Sequence, residues 1–92
     1  MAVTRYVLLY KPDPSSFSKA GELFPAHVQH FAKFQEQGTL LSFGAFADLV
    51  NHGSMGIFTS KEAAEAFVKD DPFVQHGVVA THEIREWNLS VA

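Results

Sequence analysis

The chain has 92 residues, a formal net charge of −3, 47% hydrophobic residues including nine phenylalanines, and no cysteine. That length suits one domain, residues 1–92, in which folding buries roughly 60–70% of the unfolded surface. The basic residues, scattered from Arg5 to Arg85, form no stripe for a nucleic acid backbone, the missing cysteines exclude disulfides, thiolate nucleophiles and sulfur-ligated metals, and no segment approaches membrane-spanning length.

The N-terminal run carries no basic leader and no small-residue cleavage site, so the expected location is the cytoplasm. Tyr6-Val7-Leu8-Leu9-Tyr10 is rich in strand formers and is halted by Lys11-Pro12-Asp13-Pro14, where two prolines remove backbone donors; it predicts the first strand. Ser15 to Glu22 is polar and reads as irregular. Pro25 suits a first helical position, because its missing N–H would have no partner there. The main helix is therefore expected from about Pro25 to Gln37, with Gly38 as its left-handed stop. Within it Phe24, His27, Val28, Phe31 and Phe34 recur at three- and four-residue steps, which places His27 on the inward stripe.

Leu40 to Phe46 reads as a second strand and Met55 to Thr59 as a third, joined through the turn signal Asn51-His52-Gly53 as a hairpin. Ser60 to Lys69 predicts a second helix with a serine cap and an alanine-rich body. Asp71-Pro72-Phe73 then combines a cap with a first-position proline, ahead of a short turn closed by Gly77. Val78 to Trp87 is the last strand, alternating from His82 onward so that His82, Ile84 and Glu86 oppose Glu83, Arg85 and Trp87. The order β-α-β-β-α-β predicts a ferredoxin-like α+β sandwich: an antiparallel sheet with both helices on one face. Its open second face calls for a cover, and with so many apolar residues the natural cover is a second copy of the chain, in a homodimer.

Two residues carry the chemical interest. If the helix begins near Pro25, the positive end of its dipole biases His27 toward neutral imidazole, a form able to accept a proton. The same histidine also fits simple packing between Phe24, Val28 and Phe31. Asp71, kept out of helical geometry by Pro72, reads on its own first as an ordinary helix cap, a role compatible with a carboxylate that holds one imidazole nitrogen and supports its positive charge. His27 and His30 share a spacing that can seat two metal ligands, but nothing local completes a set, so no metal is expected. His52, His76 and His82 read as surface or edge residues. No nucleophile elbow, phosphate loop or dinucleotide fingerprint occurs. The aromatics Tyr6, Tyr10, Phe43, Phe46, Phe58 and Trp87 read as core and dimer packing.

Phe24-Pro25-Ala26-His27 entering a helix, Gly38-Thr39-Leu40-Leu41-Ser42-Phe43-Gly44 after it, Ser60-Lys61-Glu62-Ala63-Ala64 opening the second helix and Asp70-Asp71-Pro72-Phe73 closing it resemble the YCII-related (YciI-like) domain across almost the whole chain. The resemblance implies ferredoxin-like protomers that build a dimeric α+β barrel, and an active-site histidine–aspartate pair falling on His27 and Asp71. One characterised type in that family is a dehydrochlorinase acting on a chlorinated hydroxyhydroquinone. This chain departs from the pattern where Ala45, not proline, follows Gly44.

The leading expectation is a small-molecule lyase or isomerase without a cofactor, in which His27 takes or relays a proton, Asp71 orients it and Ser42 hydrogen-bonds a substrate oxygen. The rival is a non-catalytic dimeric domain that binds or assists a small ligand. A haem-degrading or quinol-oxidising monooxygenase of similar barrel shape stands third.

Overall fold

In the computed structural model, which describes residues 2–92, the chain order is β1 (Ala2–Pro12), a 3-10 helix (Pro14–Lys19), α1 (Ala20–Glu36), β2 (Leu40–Ala45), α2 (Leu49–His52), β3 (Ser54–Phe58), α3 (Lys61–Asp70), α4 (Pro72–Gln75) and β4 (Val79–Ser90). The four strands form one sheet in the order β2-β3-β1-β4, and every neighbouring pair is antiparallel. This is the ferredoxin-like α+β arrangement, with the 3-10 helix and the two one-turn helices α2 and α4 added to the expected six elements. Among the described residues no helix is long and apolar enough to cross a membrane.

Strand alternation sorts the side chains into two faces. Leu8 and Tyr10 of β1 are buried beneath the helices, in register with Ile84 and His82 of β4, while Val7 and Leu9 point to the other face. The strand β2 contains a bulge: Leu40 pairs with Phe58 and Ser42 with Ile57, so Leu41 is an extra residue. The bulge has a packing consequence. Leu40 and Phe43 are an odd number of residues apart, and only the inserted Leu41 lets both face the helices. Gly56 opposite Phe43 completes the fit, since a Cβ there would stand 2.7 Å from the Phe43 ring.

Both long strands outrun the expected segments, β1 starting at Ala2 and keeping Pro12 and β4 continuing past Trp87 to Ser90, and two further boundaries move. The stretch read as irregular is ordered, because the Asp13 carboxylate accepts hydrogen bonds from the Ser15 backbone N–H at 3.0 Å and hydroxyl at 2.7 Å, which starts the 3-10 helix. Ala20 already has helical angles (φ −59°, ψ −39°), so the chain runs directly into α1. Pro25 is therefore inside α1 and not at its start. It lies past the first turn, so one backbone bond, to the carbonyl four residues earlier, is absent. The second shift is in the β2–β3 connection. It coils into α2, capped by Asp48, before Gly53 turns the chain with φ 76° against the Tyr10 carbonyl.

The helices bury matching stripes. From α3 come Ala64, Phe67 and Val68, and from α1 come His27 and Phe34 with Phe31 beside them. The cap predicted at Ser60 is present, its hydroxyl accepting from Ala63 N–H at 3.1 Å. Phe67 is the hub: it is fully buried, and the rings of Tyr10, His27, His30, Phe34, Phe43 and Phe58 surround it with centroids 4.6–6.4 Å away. Truncation there removes a partner from every one of them. We expect Phe67→Ala to destabilise the fold by about 3–5 kcal/mol, read as a lower denaturation midpoint in urea. A loss under about 1 kcal/mol would contradict the hub role.

Candidate active site

Asp71 closes α3 and opens α4. The proline after it imposes an extended backbone (φ −71°, ψ 122°), and its carboxylate caps α4 by accepting the Phe73 N–H at Oδ1, 3.0 Å away. The carboxylate is fully buried. Capping is only one of its three contacts: Oδ1 also lies 3.0 Å from His27 Nδ1, and Oδ2 accepts from the Tyr10 hydroxyl at 2.8 Å. Residues far apart in sequence thus meet at one side chain. With the carboxylate ionised and the imidazole neutral, the proton between them sits on Nδ1 and the ring's lone pair is at Nε2.

The position of His27 in α1 corrects one argument made from sequence. It lies two turns into a helix that begins at Ala20, beyond the first turn over which a helix-end charge acts. Asp71 sets the tautomer instead. The imidazole is only 4% exposed and stands in an aromatic cage. Phe73 stacks on it with centroids 4.1 Å apart and planes 6° from parallel, while Phe31 and Phe43 present their rings edge-on at 5.5 and 5.4 Å. Nε2 has no protein partner, and no described side-chain nitrogen or oxygen is both enclosed and unpartnered. Nε2 is therefore open.

It opens toward a cavity of about 500 Å³ between the helices and the sheet. Phe17 and Phe24 line it together with Phe31, Phe43 and Phe73, and Tyr10, His27 and Ser54 contribute its polar side chains. No lysine, arginine, aspartate or glutamate side chain lies along the wall. The arrangement suits an apolar or aromatic molecule presenting one polar edge to an imidazole that can take up a proton, with the resulting charge held by Asp71.

The remaining sequence candidates lie elsewhere. Ser42 is exposed on β2 in register with Ile57 and is absent from the cavity wall. Being next to Phe43, which faces His27, it points to the opposite face of the sheet. Ser54, at the start of β3, is the serine that lines the cavity. His30 donates from Nε2 to the Phe67 carbonyl at 2.7 Å, tying α1 to α3. Among the described residues no three histidine, aspartate or glutamate side chains gather as a metal site. Tyr10 is the residue that sequence reasoning missed. From sequence it reads only as a strand aromatic for core or dimer packing, and a hydroxyl meeting a carboxylate 61 residues away leaves no local signal.

A family model described as YCII-related domain matches residues 4–88. No curated protein matches the sequence. Among solved structures the fold is similar to a 5-chloro-2-hydroxyhydroquinone dehydrochlorinase, TftG, from Burkholderia phenoliruptrix AC1100, in complex with 2,5-dihydroxybenzoquinone. The TM-score is 0.71 at 20% identity, covering 90% of this chain and 92% of that one. It is also similar to a conserved protein from Methanosarcina mazei Go1, with a TM-score of 0.57 at 13% identity over 98% of this chain and 95% of that one. A hypothetical protein of Arabidopsis thaliana matches with a TM-score of 0.53 at 16% identity, over 100% of this chain and 92% of that one.

Burial, the Asp71 charge and the hydrogen bond to Asp71 together push the Tyr10 phenol far above its ordinary value of 10.0. An acid whose proton is held more tightly in the folded state gives its full stabilisation below its unfolded value. That stabilisation falls as pH rises beyond about 10, where only the unfolded chain releases the proton. In an alkaline titration we expect Tyr10 phenolate absorbance to appear only together with loss of the near-ultraviolet dichroism of the folded protein, and Tyr10→Phe to lose stability less steeply over the same range. Ionisation of Tyr10 in the intact fold near pH 10 would contradict the buried contact.

Proposed function

The chain belongs to the YCII-related domain family, and on that footing we propose that it is a small-molecule enzyme, a cofactor-independent lyase or isomerase in which His27 transfers a proton and Asp71 orients it. One observation carries the reading: a buried imidazole bonded at 3.0 Å to a buried carboxylate through Nδ1, with Nε2 left open to an apolar cavity. A packed histidine needs both nitrogens satisfied or harmlessly solvated. This one has its free nitrogen turned to a space of about 500 Å³ lined by aromatic rings, enough for a single-ring ligand.

The chemistry follows from the groups present. Nε2 accepts a proton from an activated C–H or O–H of the ligand, the imidazolium so formed is held by Asp71 at Nδ1, and the electron pair left on the ligand moves into its ring or carbonyl, expelling a leaving group or shifting a double bond. The proton then returns to another ligand atom or leaves with the expelled group. A ligand that fills the cavity would displace water from the aromatic wall and leave the charge that develops between ring and carboxylate little screened. The quinone bound by the similarly folded dehydrochlorinase makes hydroxylated quinols the first compounds to try.

We expect the wild-type protein to turn over a member of a panel of halogenated or hydroxylated quinols and enolisable carbonyl compounds, with His27→Asn and Asp71→Asn each lowering kcat by about 10²–10⁴-fold. Equal turnover in all three proteins would remove the mechanism. Ligand protection without turnover, read as a rise in Tm on adding the same compounds, would favour the non-catalytic binding domain.

The open face of the sheet supports a homodimer. Val7, Leu9, Met55 and Ile57 lie side by side there in register, and on β4, past the Glu83–Arg85 ion pair set beside Leu9 and Val7, Trp87 and Leu89 add apolar surface at 42% and 36% exposure. A second sheet laid face to face would cover them, as in a barrel closed by two protomers. Sedimentation at micromolar concentration is expected to give twice the mass of 10.2 kDa. Ile57→Asp is expected to reduce it to the monomer, and a wild-type monomer at all concentrations would refute the pairing.

A further inference from the structure

Tyr10 holds a place in the site that the proton-transfer reading does not use. Its hydroxyl takes the Asp71 oxygen facing away from His27, at 2.8 Å, from a residue 3% exposed on the central strand β1. The other oxygen is held twice over, by His27 and by the Phe73 backbone N–H. The orientation of the carboxylate is therefore already fixed by the cap. What the Tyr10 bond adds is electrostatic: a proton donor at Oδ2 draws charge away from Oδ1, the atom that faces the imidazole.

We propose that Tyr10 is a positioning residue acting on His27 through Asp71: by donating to Oδ2 it spreads the carboxylate charge and so moderates how strongly His27 holds its proton. A base used in turnover must release what it accepts, and a carboxylate that shares its charge with a second donor eases that release. The rest of the surroundings leave Tyr10 unrivalled in this role. Rings of Phe24, Phe31, Phe43, Phe67 and Phe73, from α1, β2, α3 and α4, face the imidazole and carry no titratable group. His30, on the same helix, is turned to the Phe67 carbonyl. Asp71 and Tyr10 are thus the two titratable side chains that bear on His27, and Tyr10 reaches it only through Asp71.

The inference rests on reading His27 as the proton-carrying group, yet its readout is the titration of the free protein and requires no substrate. In the full chain labelled at histidine, the ring resonances of His27, assigned by their absence in His27→Asn, are followed by NMR against pH. In Tyr10→Phe the apparent pKa of His27 is expected to rise by about 0.5–1 unit. Site-specific 3-fluorotyrosine at position 10, a stronger donor of nearly the same shape, is expected to lower it, and it keeps the test open should Tyr10→Phe not fold. A midpoint unchanged in a folded variant, or moved the other way, overturns the proposal and assigns Tyr10 to packing. A shifted midpoint in a protein that turns over none of the compounds upholds the coupling and removes only the catalytic reading.

Discussion

Everything at the centre of this molecule depends on keeping one carboxylate in the dark. Asp71 is fully buried, and burying an ion is tolerable only when its lone pairs are taken. Its three donors come from three directions: a ring nitrogen of α1, a phenol of β1 and the first free N–H of α4. Helix, sheet and the α3–α4 corner are thereby tied to one another through a single side chain. Hydrogen bonds to a charged group are worth about 1.5–3 kcal/mol each, and losing one leaves a buried charge undersatisfied, so the geometry is enforced from all three sides.

Around that charge the chain has placed phenylalanines. Phe67 fills the space beneath Tyr10 and His27, Phe73 stacks on the imidazole, and Phe43 stands at its edge because a bulge turns it inward and a glycine makes room for it. These rings bring no charge of their own. The imidazole is left with one bonded nitrogen and one open one, facing a cavity whose walls are almost wholly apolar.

Much of the fold was legible in the sequence, for physical reasons that can be named. The strand core Tyr6 to Tyr10, the capped helix after Ser60 and the alternation of β4 rest on local rules of propensity, capping and side-chain period, and each appears where those rules put it. Pro25 misled because a proline reads locally as a start, whereas the turn begun at Asp13 had already set the helix running. Ser42 misled because being near the site along a strand is not facing it: adjacent residues point to opposite faces. The bulge at Leu41, which decides which way Phe43 points, is a matter of pairing with β3 and has no local cause in the string Leu40-Leu41-Ser42.

The sequence by itself determined the order of the elements, the inward stripe carrying His27, and the extended backbone and capping role of Asp71, since each follows from residues within a few positions of one another. Only the tertiary structure decided that the cap and the stripe meet, 44 residues apart, and that Tyr10 joins them from 61 residues away on the strand between. The reason is that a buried charge is neutralised by whatever donors the packing delivers, and packing is settled by sheet register and helix placement, which no local stretch of chain contains.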